Sequence, residues 1–439
     1  MRIRTACIAA LSMALAGSLA ACGGGGAEST GAAPNPTESV TLTYWASNQG
    51  SSVDADRETL APLLAQFENE TGVAVELEVI GWGDLATRIQ TAVTSGQAPD
   101  LVNIGNTWAV SLQSTGAFME FGDAEMAAVG GADKFVEAAL ATSGAPGTTP
   151  TSIPIYGLSY GLYYNKTMFA DAGLQPPTTW DELVSVAHQL TDPASGVYGL
   201  TLAAGNGGAN AQLSFIFASQ NGAELFDADG VPAFTQPGVV DGVDRLLDLM
   251  RSGVVNASDA QFDSTSKSQN AFATGKAAML MNSSSAEKAL IANGMESGDW
   301  GVVTIPWPVG GEAVSSHVGG INLSIFETSK HKEQALAFIE FMTREATQKV
   351  VGKPFSVLPV LKGMEASFTD DAERAAVFTK VYNEHAKPLP LVPIVDQYEA
   401  TVGAAVKNLF SSIATGQSVD RAAIEQALAD AQSQVKVAR

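Results

Sequence analysis

Hydrophobic residues change their spacing several times along the first part of the chain, and each change predicts a new element. The run TLTYW at 41–45 is rich in β-branched and aromatic residues and predicts a strand. Apolar residues between 60 and 67 then recur at helical spacing. We expect this helix to begin near Thr59, because Pro62 is tolerated only in a first turn.

The next segments continue this alternation of periods. Strict alternation over 73–79 predicts a second strand, the 3.6-residue period over 85–93 a second helix, and the apolar run at 100–104 a third strand. The pattern resumes with a strand at 162–165 and a helix that opens at Thr179 with a capping box. This order is typical of sheets with helices on both faces.

The second half of the chain repeats the pattern. Helical periodicity covers 239–250 and 424–435, and strand-like runs occur at 277–282, 300–306 and 321–325. A body of about 400 residues exceeds what one hydrophobic core usually holds. We therefore predict an α/β fold arranged as two lobes.

The N-terminal residues carry export signals. An uncharged apolar run behind a short basic region predicts a signal peptide over 1–21. The sequence LAAC that ends at Cys22 resembles a bacterial lipobox, which implies that Cys22 is lipidated; an ordinary secretory signal that ends near a cysteine is the alternative. Residues 22–39 are polar and rich in Gly and Pro, and predict a flexible tether. We expect an extracytoplasmic body anchored to the cell membrane through Cys22.

Charge and cysteine content narrow the classes of function. The chain has 24 basic and 46 acidic residues, a net charge of −22, and no basic patch, so nucleic acid is not expected as a ligand. Its two cysteines, Cys7 and Cys22, both precede the folded body, so no disulfide or cysteine metal site is predicted there. The four histidines show no metal-ligand spacing, and neither metal nor cofactor is predicted.

A G-x-S-x-G motif centred on Ser159 raises the question of a serine hydrolase. A nucleophile elbow needs a strand before the serine and a helix after it. Here Pro150 and Pro154 interrupt the preceding segment, and the β-rich run 162–165 follows directly. The motif therefore predicts no catalytic residue. A lipid-anchored hydrolase that uses Ser159 or a pair of carboxylates remains the alternative from another class.

The same region matches a different pattern. LYYNKTMFADAGLQPPTTWDEL at 162–183 resembles the Y-N-K-x-x-F-x-x-A-G-x-x-x-P-x-T-W-x-E-L signature of bacterial extracellular solute-binding proteins of family 1. TAVTSGQAPDLVNIG at 91–105, AFATGKAAMLMN at 271–282 and HVGGINLSI at 317–325 resemble further family motifs in the same order. The particular resemblance is to lipoproteins that bind maltose or trehalose for ABC importers.

The resemblance implies a fold and a division of the chain. The fold would be the two-lobed, type II periplasmic-binding-protein fold with a hinge between the lobes. The first lobe would comprise 40–156 with 319–362, and the second 157–318 with 363–439. The glycines around Ser159 would then belong to the hinge and the cleft wall.

The resemblance and the position of loops after strands also indicate ligand-binding residues. Open α/β sheets bind ligands beyond the carboxyl ends of their strands, and sugars need aromatic faces and polar side chains. For Trp45 and Trp82, burial in the lobe core is the alternative interpretation. The predicted ligand-binding residues are Trp45, Ser47, Gln49, Trp82, Asn106, Trp108, Tyr156, Ser159, Tyr160, Asn282, Ser285, Trp307, Gly319, Gly320, Tyr398 and Glu399.

The predicted function is binding without chemistry. A monomer would capture a mono- to trisaccharide between its lobes and deliver it to the permease subunits of an ABC importer. The alternative ligand is a glycerophosphodiester or another polyol phosphate. Such a ligand would require Arg or Lys in the cleft loops, and the predicted loops contain none.

Overall fold

The computed structural model describes residues 40–50 and 52–436, which belong to one compact unit. The predicted signal peptide and the tether with Cys22 lie outside these residues. Within them, no helix is both long and apolar enough to span a membrane.

The strands fall into two main sheets and one small pair. Their bounds are β1 Thr41–Ser47, β2 Ala74–Ile80, β3 Leu101–Gly105, β4 Ile153–Leu158, β5 Tyr160–Asn165, β6 Tyr198–Thr201, β7 Ala277–Ser283, β8 Trp300–Val303, β9 Ser316–His317, β10 Gly319–Ile325 and β11 Ala386–Lys387. The first sheet has the order β2-β1-β3-β10-β4, and the second has the order β6-β7-β5-β8. The short strands β9 and β11 pair in parallel.

Helices cover both sheets. Their bounds are α1 Val53–Thr71, α2 Trp82–Ser95, α3 Ala109–Gln113, α4 Asp123–Ala128, α5 Glu137–Leu140, α6 Lys166–Asp171, α7 Trp180–Gln189, α8 Gly207–Gln220, α9 Pro237–Arg251, α10 Thr265–Ala273, α11 Ala286–Ala292, α12 Lys332–Met342, α13 Glu345–Phe355, α14 Ala372–Lys380, α15 Val395–Ala414 and α16 Arg421–Gln434. A short 3₁₀ turn, Asn106–Trp108, follows β3 directly.

The two sheets differ in strand direction. In the first sheet β1 runs parallel to β2 and β3, and β10 runs antiparallel to β3 and β4. In the second sheet β5 is antiparallel to β7 and β8. A single residue, Ser159, joins β4 of the first sheet to β5 of the second. The chain therefore passes between the sheets at this residue.

The division of the chain into lobes stays a prediction, but two residues pair with a different sheet from the one that this division implies. Gly157 and Leu158 were assigned to the second lobe, whereas both pair with β10 in the first sheet. The second lobe was predicted to start at residue 157, where the G-x-S-x-G motif begins. Strand β4 continues to Leu158, because the motif does not mark the last paired residue of the strand.

Two proline-based expectations were wrong. Helix α1 begins at Val53 with Ser52 as its N-cap, and Pro62 lies inside it. Burial of Leu60, Leu63 and Phe67 on one face stabilises the helix against the missing N–H of the proline. Pro154 lies within β4, which is an edge strand of its sheet, where a residue without an N–H is tolerated.

The strand predicted at 300–306 is shorter than expected. β8 ends at Val303, before Pro306 and Pro308. Proline cannot donate to a strand ladder, and so these residues end the pairing.

Candidate functional site

A cavity of about 770 Å³ lies between the two sheets. Its first wall consists of Asn48–Gly50, Trp82, Gly105–Trp108 and Gly319–Ile321. Its second wall consists of Tyr160 with residues of α8, α10, α11 and α15 and the loops before them. The volume is within the range of small-molecule sites in proteins.

Two indoles dominate the first wall. The rings of Trp82 and Trp108 meet edge to face, with centroids 5.5 Å apart. Gly105 lies between them, since a Cβ there would be 3.6 Å from both rings. Trp82 is 40% exposed and is therefore a large apolar surface that the cavity leaves uncovered. Such a face can stack on the C–H surface of a sugar ring.

The loop Asn48–Gly50 after β1 is fixed by one buried carboxylate. Asp56 accepts hydrogen bonds from the Asn48 side chain at 3.0 Å, from the Gln49 N–H at 2.6 Å and from the Gly50 N–H at 2.7 Å. A side chain at position 50 would collide with Asp56, so glycine is required for this approach. The carboxylate holds three cavity residues in one arrangement.

Backbone groups complete the first wall. The Asn106 side chain donates a hydrogen bond to the Val318 carbonyl at 3.0 Å and so links the end of β3 to the segment before β10. At Gly320 a Cβ would collide with the Tyr156 carbonyl oxygen. Glycine at this position therefore permits the close approach of β10 and β4.

The second wall presents side-chain amides and hydroxyls. The Tyr160 hydroxyl donates to Gln212 Oε1 at 2.7 Å, which leaves the Gln212 amide N–H groups for other partners. The hydroxyls of Ser283 and Ser285 lie 2.7 Å apart. Gln269 of α10 adds a second side-chain amide to this wall. These groups can bracket the hydroxyls of a ligand.

The walls touch directly at Glu399. Thr107 Oγ1 of the first wall donates to Glu399 Oε2 at 3.3 Å. Burial raises the pKa of Glu399 to about 7, and hydrogen bonds from Thr107 and Trp108 oppose this rise. The carboxyl group therefore changes charge near neutral pH.

One cation also lines the cavity. Lys288 of α11 lies on the second wall, and partial burial lowers its pKa. Asp56, beneath the first wall, acts on Lys288 in the opposite sense through its charge. The predicted cleft loops contain no Arg or Lys in sequence, whereas this lysine reaches the cavity from a helix that was not among them.

His317 lies between the walls. It is 5% exposed and borders the cavity, and its ring centroid is 5.3 Å from that of Tyr160. Burial lowers the pKa of His317 to about 4.

Nine of the predicted residues line this cavity, and their contact with a ligand stays a prediction. They are Gln49, Trp82, Asn106, Trp108, Tyr160, Ser285, Gly319, Gly320 and Glu399. The other seven do not line it.

Four of the seven lie around the first sheet and the hinge. Trp45 faces α2, where the Arg88 guanidinium lies 4.5 Å from its ring centroid. Ser47 is buried and accepts a hydrogen bond from Gln49. Tyr156 is buried against Phe355. Ser159 is also buried, and its hydroxyl donates to the Phe378 carbonyl at 2.9 Å. The Ser159 hydroxyl is therefore enclosed at the connection between the two sheets and is not exposed as a nucleophile would be.

The remaining three belong to the second sheet, to a helix that covers it and to the loop after β8. Asn282 accepts from the Ser283 N–H, and it is Ser283 that lines the cavity, because neighbouring strand residues face opposite ways. Tyr398 is buried and donates to the Ala211 carbonyl at 2.7 Å. Trp307 packs on His385, with ring centroids 5.3 Å apart.

Sequence reasoning missed most of the second wall. It overlooked polar residues on helices or at their ends; these are Asn206, Gln212, Gln269, Lys288 and Asn293. One signal was available for Gln212, which is a large polar residue in a helix that carries no charged side chain and is rich in apolar residues. The other residues lie at ordinary polar positions and carry no such signal.

The described residues contain no group of three His, Cys, Asp or Glu side chains arranged to hold a metal ion. The cavity lining itself offers aromatic faces, hydrogen-bonding groups and the ionisable side chains of Glu399 and Lys288.

Comparison with known proteins places these features in context. The family model of bacterial extracellular solute-binding proteins matches residues 50–349. The mannitol-binding protein of Pseudomonas aeruginosa is 30% identical over 64% of this chain and 67% of its own length. The multiple sugar-binding protein of Streptococcus mutans is 28% identical over 74% of this chain and 77% of its own.

A solved structure shows the same fold. The GacH receptor of Streptomyces glaucescens, determined without ligand and with acarbose, has a TM-score of 0.75 and 22% identity. The match covers 91% of this chain and 100% of that chain. It confirms the predicted two-lobed, type II α/β fold.

Proposed function

The chain belongs to the bacterial extracellular solute-binding protein family, and we propose that it captures an uncharged saccharide or polyol between its two lobes. The observation that carries this proposal is the pairing of an exposed indole, Trp82, on one wall with side-chain amides and hydroxyls on the other. A sugar offers the matching combination of apolar ring faces and hydroxyls. The names of the relatives, which include a mannitol-binding and a multiple sugar-binding protein, support this class of ligand.

The proposed mechanism is a shift of population between open and closed lobes. Each wall offers only part of the ligand's contacts, so a ligand that touches both walls stabilises the closed form. Ser159, as the single residue between β4 and β5, is part of the hinge. The closed form then docks on the permease subunits of an ABC importer.

The proposed setting is the outer face of the cell membrane. Lipidated Cys22 would hold the protein there, and residues 23–39 would give the body reach toward the permease. We propose that the protein acts as a monomer, without a cofactor and without catalysis.

A second candidate is a ligand with an acidic group, such as a polyol phosphate or a glycerophosphodiester. Lys288 on the second wall favours it. Two features weigh against it: the charge of Asp56 acts on Lys288, and the carboxyl group of Glu399 lies in the same cavity. Anion sites usually supply bidentate arginine, and within the described residues no arginine lines this cavity.

Thermal unfolding of residues 23–439 with a panel of small molecules tests the proposal. The panel contains mono-, di- and trisaccharides, polyols, glycerophosphocholine and amino acids. A ligand at a hundred times its dissociation constant adds about 2.7 kcal/mol to the free energy of unfolding, which raises the midpoint clearly. We expect one or a few related saccharides or polyols to do so. A shift with glycerophosphocholine alone would favour the second candidate, and a shift with none of the saccharides or polyols would contradict the proposal.

A further inference from the structure

His317 is a cavity residue without an assigned role. It lies in β9, beside the crossing between the sheets, and is almost completely buried. Its ring is tilted against Tyr160 of the second wall, and Gly319 of the first wall lies two residues further along the chain. His317 therefore sits where the two walls meet at the base of the cavity.

The two ring nitrogens have different surroundings. Nδ1 is buried, and none of the described residues forms a hydrogen bond with it. Nε2 lies on the side of Gly319, because a Cβ at that glycine would come within 3.2 Å of it. Nε2 also has no hydrogen bond to a described residue, but it is not enclosed as Nδ1 is. Since His317 borders the cavity, Nε2 is the nitrogen that faces it.

The charge and tautomer of the ring follow from this burial. Burial lowers the pKa of His317 to about 4, so the imidazole is neutral at pH 7 and carries one donor and one acceptor. A buried N–H without a partner is rarer in proteins than a buried acceptor without one. The proton therefore belongs on Nε2, and the unpartnered Nδ1 is the acceptor.

We propose that His317 is a ligand-binding residue that donates its Nε2–H to an uncharged oxygen of the ligand at the base of the cavity. This inference rests on the proposed function and adds a rule of specificity to it. A hydroxyl, ring or glycosidic oxygen can accept this hydrogen bond. An ammonium group at the same position would place its own N–H donors against the Nε2–H donor. Neither group could then accept a hydrogen bond, and such a ligand would be rejected. The site should therefore discriminate against a saccharide whose contacted oxygen is replaced by an amine.

The tautomer can be measured without a ligand. Nitrogen-15 NMR of residues 23–439 distinguishes Nε2–H from Nδ1–H in neutral histidine, and the spectrum of His317→Gln assigns the signal among the four histidines. We expect the Nε2–H form at pH 7. An Nδ1–H form would leave no donor next to the cavity and would overturn the inference, whatever ligand the protein binds.

Substitutions then test the contact itself, with maltose and mannitol as the probes in calorimetric titration. The amide nitrogen of glutamine reaches the position of Nε2, whereas that of asparagine ends near Nδ1. We expect His317→Leu and His317→Asn to weaken binding about 3- to 10-fold, and His317→Gln to stay within about 3-fold of the unmodified protein. Equal loss in all three variants, or no loss in His317→Leu, would contradict the inference.

Thermal unfolding of the ligand-free variants separates this role from a structural one. A purely structural role would lower all three midpoints and would not separate Gln from Asn in affinity. If neither the probes nor any other saccharide or polyol of the panel binds, the proposed function fails and the ligand contact of His317 fails with it. If a ligand binds but the tautomer is Nδ1–H, only the inference about His317 fails.

Discussion

The two walls of the cavity are built from different parts of their lobes. The first wall comes largely from segments that directly follow the strands β1, β2 and β3. The second wall comes mainly from the sides and starts of the helices α8, α10, α11 and α15. One wall is thus an edge of a sheet, and the other is a set of helix faces.

This difference in origin matches a difference in chemistry. The first wall is held firmly, since Asp56 fixes the loop Asn48–Gly50 and Gly105 lies between two indoles. The second wall offers the longer, rotatable amides of Gln212 and Gln269. We therefore propose that the first wall supplies apolar contact area to the ligand, while the second wall selects the pattern of its hydroxyls.

Removal of the apolar face should produce the largest loss of affinity. Trp82→Ala deletes the exposed indole of the first wall, and truncation of a central tryptophan typically costs about 2 kcal/mol or more, which is roughly 30-fold in dissociation constant. Calorimetric titration with the saccharide identified in the panel measures it. Trp82→Phe is the matched control and should retain much of the affinity, because it keeps an aromatic face. A dissociation constant unchanged in Trp82→Ala would refute the role of this wall.

Glu399, where the walls touch, should give stability an unusual pH dependence. Its pKa in the folded protein is raised from 4.5 to about 7, so the folded state holds this proton more tightly than the unfolded chain does. Its contribution to stability is fully present below pH 4.5 and is lost as the pH rises through 7, with a slope of at most about 1.4 kcal/mol per pH unit.

Chemical denaturation at a series of pH values measures this effect in Glu399→Gln. The free energy of unfolding of the variant, relative to the unmodified protein, should increase from pH 4.5 to pH 8. Glu58→Gln, on the exposed side of α1, is the control for the loss of one carboxylate. A constant difference between Glu399→Gln and the unmodified protein across this range would contradict the assignment.

The amides of the second wall should have smaller individual effects. Gln269→Ala removes a neutral hydrogen bond to the ligand. Such a bond is worth about 0.5–1.5 kcal/mol, so the dissociation constant should rise about 2- to 12-fold for each bond lost. The loss of affinity in Gln269→Ala should depend on the ligand, and it should be smaller for deoxy sugars that lack the contacted hydroxyl. The loss of affinity in Trp82→Ala should be the same for both kinds of sugar. If Gln269→Ala and Trp82→Ala weaken the binding of deoxy sugars to the same extent, the two walls do not divide their roles in this way.

The smallest effect is expected at a tryptophan outside both walls. Trp307→Phe keeps a ring against His385 and should change the dissociation constant by less than about 2-fold. The same titration measures it. A loss comparable with that in Trp82→Ala would show that the binding site extends to Trp307.

Sequence patterns predicted the fold better than they predicted the site. The alternation at 73–79 and the capping box at Thr179 became β2 and α7, because both patterns are local. The start of α1 could not be read in the same way, since burial of its apolar face outweighs the local effect of Pro62.

The lining of the cavity was easiest to predict where it follows strands. Trp82, Asn106 and Trp108 were found because loops beyond the carboxyl ends of strands share one edge of the sheet. On a helix, two adjacent residues can face different surroundings: Tyr398 is buried in the core, whereas its neighbour Glu399 lines the cavity. Successive helical residues point about 100° apart, so this choice depends on how the helix packs.

A crystal structure of the protein with the saccharide or polyol identified in the panel would test the central claim most directly. We predict that the ligand lies in the cavity between the sheets, with a face on Trp82 or Trp108 and with hydroxyls bonded to Gln212 or Gln269. A ligand bound outside this cavity, or one that contacts a single wall, would contradict the account.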